Sequence, residues 1–283
     1  MADKQQKRLA YRVAYDGRDY HGFQRQPDVA TIEDELLAAC AALDVTVNAE
    51  SPPPGYAAAG RTDAGVSALA QTIVFNGPSW VSPGALNAEL PSEIRVWAVA
   101  TPPEDFHPRY DAIEREYQYW QWADGMHLRR TRAAASRLIG THDFQNFTTD
   151  SDDTIRTVTS ISVVPDGPFL RLSVTSQGFL RGQVRRMVEA VAAIGRGDRP
   201  LSFIDRALES RPLTGADGIP PAPAAHLILT DVQYQDVHFE TNPRAVANVA
   251  SQFRGEHCRL SAESRVIGTI AGRLSMVSEL DTE

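Results

Sequence analysis

One carboxylate in this chain stands in a setting that favours chemistry over simple solvation. Asp63 lies within Gly60-Arg61-Thr62-Asp63-Ala64-Gly65-Val66, between two glycines and two positions after an arginine. A carboxylate held in a tight turn between apolar strand sequences is a candidate reacting group, because the turn restricts its direction. The alternative is an aspartate that makes a side-chain turn with its own backbone, which is common in Asp-Ala-Gly sequences.

The sequence around Asp63 predicts a half-domain of alternating strands and helices. Thr31 is a suitable N-cap, and the apolar residues that follow it recur with helical spacing. Pro83 suits the first turn of a second helix. The predicted order is β-α-β-β-α-β, with elements at residues 8–15, 31–43, 56–59, 69–75, 83–90 and 94–100.

A second half with similar organisation follows from about residue 106. Residues 113–122 alternate strictly, which is typical of a strand with two different faces. Further strands are predicted at 156–164, 169–175 and 226–234, helices at 131–139 and 179–194, and a turn at 140–144. The fold class predicted is α+β, with two RRM-like or ferredoxin-like halves whose antiparallel sheets flank a central active-site cleft. The predicted domains are 1–105, 106–240 and a helical C-terminal appendage, 241–283.

The charge of the chain gives conflicting indications about a nucleic-acid partner. The net charge of −8 argues against one, yet only Lys4 and Lys7 are lysines among 28 basic residues, so 26 are arginines. Arginine binds phosphate with two parallel hydrogen bonds and stacks on bases. An acidic, lysine-poor composition suits a protein dissolved in high salt, and a GC-rich coding bias explains the arginines equally well.

Other features predict a cytoplasmic protein without a metal or cofactor. The first eight residues lack an apolar run after their charges, and no stretch approaches the roughly 20 apolar residues of a membrane span. Cys40 falls on the apolar face of a predicted helix and is expected to be a buried thiol. His107 and the pair His142-Asp143 lack a third ligand at suitable spacing, so they are expected to make structural hydrogen bonds.

Several blocks of sequence resemble the motifs of the TruA family of tRNA pseudouridine synthases. The heptapeptide around Asp63 is similar to the family's signature, and other blocks keep the family's order from about residue 11 to residue 235. Each block is moderately specific alone, and the resemblance covers most of the chain. The other blocks are residues 15–17, 21–26, 90–96, 106–109, 115–119, 140–144 and 179–185.

The resemblance implies a catalytic aspartate with two partners. Asp63 matches the family's invariant aspartate and would act on the ribose, either by adding to C1′ or by removing a sugar proton. Arg185 matches the arginine that would pair with it, while Arg181, four residues earlier, would share its helix face and meet RNA. Tyr117 matches the active-site tyrosine and would stack on a flipped uracil; its hydroxyl could also help to remove the C5 proton.

The resemblance also implies further contacts with RNA. Arg61 would fill the space left by the flipped base or hold a backbone phosphate. Gln26 lies in a loop of aromatic, amide and arginine groups that suits contacts with bases and phosphates. Three departures from the family's usual residues, Ser67, Glu116 and Arg181-Gly182-Gln183, could alter which uridines fit.

The implied reaction converts uridine to pseudouridine at positions 38, 39 and/or 40 of the tRNA anticodon stem-loop. It needs no redox change and no cofactor, and the implied partners are tRNA and a second copy of the chain in a homodimer. Two other classes stay open from the residues themselves. One is a tRNA-binding module without catalysis; the other is an Asp-dependent hydrolase of sugar bonds, although such enzymes usually use two carboxylates.

Overall fold

The computed structural model describes residues 6–48 and 50–280, with the side chains of the last helix described as far as Leu274. The chain forms two compact units that meet in sequence between Glu240 and Thr241. The second unit consists mainly of one long helix, α6 (Pro243–Leu280). In the described part of the chain, every helix is too short or too polar to cross a membrane.

The first unit contains two successive groups of strands and helices. The first group contains β1 (Gln6–Tyr15), α1 (Ile32–Ala42), β2 (Ala57–Ala58), β3 (Ser67–Pro78), α2 (Pro83–Glu89) and β4 (Ile94–Ala100). The second contains β5 (Ala112–Trp122), α3 (Leu128–Ser136), β6 (Gly140–Asp143), β7 (Ile155–Asp166), β8 (Phe169–Ser176), α4 (Gln183–Arg196), α5 (Ser202–Ala207) and β9 (Leu227–Tyr234). A two-residue strand, β10 (Glu240–Thr241), spans the boundary between the units.

Strands β1 to β9 form one continuous sheet. Their order is β4-β1-β3-β9-β5-β8-β7-β6, and β2 pairs with β3 outside this path. Strand β9 pairs in parallel with β3 through Ser67 and Ala68, and antiparallel with β5. The other pairs in this order are antiparallel. The predicted α+β class with antiparallel sheets is therefore confirmed, and β9 joins the sheets of the two halves.

Each half has its own hydrophobic core. The first core contains Tyr11, Phe75 and Ile94 among its fully buried side chains, and the second contains Phe144 and Phe147. Residues from α1 and α2 pack in the first core and residues from α3, α4 and α5 in the second. Burial of apolar surface at about 25 cal/mol per Å² is the main force that holds both cores together.

Several boundaries differ from those predicted. Helix α4 begins at Gln183 and not at 179, because Gly182 takes a left-handed conformation with φ of +66°. The Gln183 side chain then accepts a hydrogen bond from the Leu180 amide, which holds the chain outside the helix there. The predicted 140–144 turn contains a strand, β6, paired with β7. Helix α3 begins three residues earlier than predicted, and α5 was not predicted.

Candidate active site

The Asp63 turn (residues 60–66) connects β2 to β3. Hydrogen bonds to β3 hold the chain where the turn begins: Ala59 N, directly before the turn, donates to Thr72 O, and Gln71 Nε2 donates to Gly60 O. The turn closes where Val66 N donates to Asp63 O at 3.1 Å. Gly65 has φ of +82°, a conformation that favours glycine in such turns.

The first loop (residues 16–28) packs directly against this turn. Phe23 N donates to Thr62 O, and Gly65 N donates to Tyr20 O, both at 3.1 Å. At Gly22 a Cβ atom would lie 2.9 Å from Thr62 O, so glycine allows this close approach. This loop, predicted to contact RNA, therefore also supports the Asp63 turn through its backbone.

A buried hydroxyl pair supports the same turn from the side of the first core. Tyr15 Oη and Thr62 Oγ1 lie 2.9 Å apart, and either can be the donor. Tyr15 is 1% exposed and Thr62 is 6% exposed. The sequence prediction assigned no role to this pair; the signal was a tyrosine at the end of β1 directly before the Asp16-Gly17 sequence.

Arg185 comes from the other half and pairs with Asp63, as predicted. Its Nη1 lies 3.2 Å from Asp63 Oδ2, with side-chain exposures of 18% for the arginine and 26% for the aspartate. Arg185 Nε donates to Ala222 O at 2.7 Å, which fixes the guanidinium from a second direction. Within the described residues, Asp63 Oδ1 accepts no hydrogen bond. One carboxylate oxygen is therefore held and the other is available to a substrate.

The neighbours of Arg185 are arranged differently from the prediction. Arg181 precedes α4, so the expectation that Arg181 and Arg185 share a helix face is wrong; the left-handed Gly182 separates Arg181 from the helix. The Arg181 backbone is held by Asp150, which accepts from its amide, and by Thr148, which donates to its carbonyl. Arg186, the residue after Arg185, instead has an electrostatic interaction with Asp63.

Tyr117 lies on β5 between the two cores and contacts both. The Phe179 ring packs edge-on against it with centroids 5.4 Å apart. Burial raises the pKa of Tyr117 to about 12, against the opposing effect of Arg115, and the charge of Asp63 raises it further. Tyr119, two residues along, is 1% exposed and lies in the second core.

Arg115 connects the elements that surround the site. Its Nη2 donates to Ala59 O directly before the Asp63 turn and to Arg109 O in the segment between the halves, both at 2.8 Å. Its Nη1 donates to Gln177 O at the end of β8. A single buried guanidinium therefore fixes three chain segments, and its burial lowers its pKa.

The remaining predicted site residues lie in exposed or internally bonded settings. Arg61 is exposed. Gln26 is also exposed, and its Nε2 donates to His21 O within the first loop at 2.8 Å. His107 Nδ1 accepts from the Arg109 amide, and His142 Nε2 lies 3.0 Å from Ile139 O, as expected for structural histidines.

The described residues contain no group of three or more His, Cys, Asp or Glu side chains that could hold a metal ion. Cys40 is buried on α1, as expected, and burial raises the pKa of its thiol to about 12. Besides Arg185, the groups that interact electrostatically with Asp63 include the Arg186 guanidinium and the Tyr117 phenol.

The chain is similar to known proteins over almost its whole length. A family profile described as tRNA pseudouridine synthase matches residues 134–235. The relatives named tRNA pseudouridine synthase A include one from Haloarcula marismortui, 47% identical over 94% of this chain and 99% of its own length. Those from Natronomonas pharaonis and Halobacterium salinarum are 47% and 44% identical over 93% of this chain and 98% of their own lengths.

Similarity to solved structures is low by comparison. The chain aligns with the archaeal box H/ACA sRNP Nop10-Cbf5 complex at a TM-score of 0.30 and 12% identity, over 65% of this chain and 54% of that one. The sequence relatives are far more similar, and their identity extends through both halves of the sheet. The chain therefore belongs to the tRNA pseudouridine synthase family.

Proposed function

We propose that this protein isomerises uridine to pseudouridine in the anticodon stem-loop of tRNA, at positions 38, 39 and/or 40. The observation that carries the proposal is the pairing of Asp63 with Arg185 across the two halves. In this pairing, Asp63 Oδ2 contacts Arg185, and Asp63 Oδ1 is available to a substrate. The names of the relatives supply the reaction and the class of RNA.

The reaction conserves every atom of the uridine. Asp63 acts on the ribose in one of two ways: it adds to C1′, or it removes a sugar proton. In both, the N1–C1′ bond breaks, the uracil turns, and C5 forms a bond to C1′. In the first way the Asp63–C1′ bond breaks as C5 bonds to C1′, and in the second way Asp63 returns the proton to the sugar carbon. The proton on C5 then leaves and N1 gains one, so Asp63 is regenerated without an oxidant or reductant.

Arg185 keeps Asp63 charged and directed as the substrate displaces water. A carboxylate moved away from water loses hydration, and an adjacent guanidinium compensates for this loss. The second contact of Arg185, with Ala222 O, prevents the guanidinium from following a substrate phosphate away from Asp63. Arg185 is therefore a positioning residue in this proposal.

Tyr117 provides the surface for the flipped uracil. Base–aromatic stacking contributes about 1–3 kcal/mol, and Phe179 holds the ring from its edge. Because the pKa of Tyr117 is about 12, its hydroxyl is protonated at neutral pH and acts as a donor. Removal of the C5 proton through this hydroxyl requires that the phenol pass its own proton to another base.

The outer parts of the site complete the proposal. Arg61 would enter the stem-loop where the uridine leaves, and Gln26 would contact RNA from the tip of the first loop. The 1–105 domain supplies Asp63, and the 106–240 domain supplies Tyr117 and Arg185; residues 241–283 form a third, helical segment with no role in this proposal. We also propose that the protein is cytoplasmic and forms a homodimer. Light scattering at micromolar concentration would test the dimer.

The direct test uses unmodified tRNA tritiated at uracil C5. Wild-type protein is expected to release tritium, and Asp63→Asn, which keeps the shape of the side chain, is expected to release none above background. Both proteins should bind the RNA equally in a filter assay, which controls for folding. Release by Asp63→Asn at the wild-type rate would refute the role of Asp63.

The same assay separates the other two classes of protein. A hydrolase would produce free uracil, whereas a synthase leaves the base in the RNA as pseudouridine, and chromatography of the digested RNA distinguishes them. Binding without tritium release from either protein would favour the binding-module reading. Repeating the assay at high and low salt tests the habitat hypothesis, since phosphate contacts weaken as salt rises.

A further inference from the structure

Arg186 places a second guanidinium near Asp63. At Gly182 a Cβ atom would collide with Arg186 Nη1 and would lie 3.8 Å from Asp63 Oδ2. Arg186 Nη1 and Asp63 Oδ2 therefore both lie within 4 Å of the position that this Cβ atom would occupy. Because residue 182 has no side chain, the Arg186 guanidinium can lie over the start of α4.

The contacts of Arg186 differ from those of Arg185. Arg185 has two partners, Asp63 Oδ2 and Ala222 O. Across the part of the chain that the structure describes, the Arg186 side chain makes neither a hydrogen bond nor an ion pair. Burial lowers the pKa of Arg186, and the nearby Arg185 lowers it further against the opposing effect of Asp63. Arg186 is therefore a partly desolvated cation whose hydrogen-bond donors remain available.

The charges at this point do not balance without a further anion. Two guanidinium groups, Arg185 and Arg186, face one carboxylate, Asp63, and leave an excess of one positive charge. A phosphodiester carries one negative charge and accepts two parallel hydrogen bonds from a guanidinium. A uracil carbonyl would accept a hydrogen bond but would not neutralise the charge.

We propose that Arg186 binds a phosphate group that flanks the target uridine. This rests on the proposed function, in which Asp63 faces the ribose: the phosphates attached to that ribose are the nearest anions in the substrate. Arg185 then holds the carboxylate, while Arg186 holds the backbone of the same nucleotide. The two contacts would set the distance between the carboxylate and C1′.

The test measures binding in the Asp63→Asn background, so that turnover does not interfere. The RNA is an anticodon stem-loop with a single uridine at a position that the wild-type enzyme modifies. Two further RNAs carry a neutral methylphosphonate in place of the phosphate on the 5′ or the 3′ side of that uridine. Arg186→Gln removes the charge of the arginine, and Arg129→Gln is the matched control on the exposed start of α3.

We expect Arg186→Gln to weaken binding of the unmodified RNA about 10-fold and to reduce the slope of log K against log salt by about 0.7–0.9. One of the two methylphosphonates should weaken RNA binding by the parent protein, Asp63→Asn, to a similar extent. The same methylphosphonate should not weaken RNA binding further when Arg186→Gln is also present. Arg129→Gln should remain fully sensitive to that methylphosphonate. This lack of additivity identifies a direct contact.

Two results would overturn the proposal. In one, both methylphosphonates weaken binding to the parent and to Arg186→Gln by the same factors. In the other, Arg186→Gln binds every RNA as tightly as the parent but lowers kcat in an otherwise wild-type enzyme, which would make Arg186 a second support for the charge of Asp63. Either result leaves pseudouridine formation by the wild-type enzyme intact, so it is distinct from failure of the proposed function.

Discussion

The Asp63 turn and the start of α4 face each other in the site but are held in different ways. Backbone hydrogen bonds from the first loop and from β3 support the turn, together with the buried Tyr15–Thr62 pair. The start of α4 depends on the left-handed Gly182 and on side-chain contacts of Arg185. The carboxylate is therefore held mainly through the backbone of its turn, while its cationic partner Arg185 is held mainly through side-chain contacts.

The largest expected effect comes from disturbing the backbone support of the Asp63 turn. At Gly17 a Cβ atom would lie 2.6 Å from the Val66 carbonyl carbon and closer still to its oxygen. Gly17→Ala should lower the free energy of unfolding by about 3 kcal/mol, since the backbone on both sides must move. Urea denaturation followed by circular dichroism measures this change.

Gly60→Ala is the matched control for Gly17→Ala. It lies at the start of the same turn, and a Cβ atom there would have no neighbour within 4 Å. We expect a change in stability of less than about 1 kcal/mol. Equal destabilisation by the two variants would show that packing of the first loop does not support the turn.

The next effect comes from the side-chain contacts of Arg185. Arg185→Gln should lower kcat/KM about 100-fold, because a charge-assisted hydrogen bond contributes about 1.5–3 kcal/mol. Stability should change by less than about 1 kcal/mol, since the Arg185–Asp63 pair is partly exposed. If Arg185→Gln instead lost much of its stability while the protein that remained folded kept normal activity, Arg185 would support the fold and not the reaction.

Replacements of Tyr117 separate stacking from the hydroxyl. Tyr117→Ala should weaken RNA binding or kcat/KM by about 10-fold or more, because it removes the stacking surface. Tyr117→Phe keeps that surface and should retain binding. If Tyr117→Phe also abolishes tritium release, the hydroxyl participates in removal of the C5 proton; single-turnover kinetics distinguish these cases.

A smaller effect is expected from the hydroxyl pair below the turn. Tyr15→Phe leaves Thr62 Oγ1 buried without its partner and should cost about 1 kcal/mol of stability. Activity should fall less than in Arg185→Gln, because the backbone bonds of the turn remain. Thermal unfolding and tritium release on the same preparation test this order.

The smallest effect is expected from pH. Because the folded pKa of Tyr117 is about 12, its ionisation should not change activity between pH 7 and 9.5. The unfolded value is about 10, so this residue's stabilising contribution is complete below pH 10 and is lost as pH rises towards 12. A step in kcat near pH 8 that Tyr117→Phe removes would contradict this value.

Local patterns in the sequence were sufficient for most elements. Residues 94–100 were predicted as a strand with the observed bounds, and Thr31 caps α1 as its position predicts. The start of α4 was predicted incorrectly, because Gly182 and Gln183 end the preceding segment through conformation and side-chain bonding. The parallel pairing of β3 with β9 is non-local, and hydrophobic periodicity carries no signal for it.

Some contacts of the site were predicted from the sequence and others were not, again because sequence patterns are local. The Asp63–Arg185 contact was predicted from the resemblance, and the structure brings the two side chains together. Arg186 follows Arg185 directly in sequence, and the two differ only in the folded structure, through the partners of Arg185 and the space above Gly182. The support of the turn from Tyr15 and Arg115 depends on their contacts with Thr62 and Ala59, 47 and 56 positions away, which no short motif contains.

The position of β9 has a consequence for synthesis of the protein on the ribosome. Strand β9 (Leu227–Tyr234) is synthesised after β1 to β8. In the sheet, however, it lies between β3 and β5. Ala222, which holds Arg185, also precedes β9 by only a few residues. The nascent chain therefore exposes two unpaired strand edges until late in translation, and a product truncated before β9 would lack the centre of the sheet and be prone to aggregation.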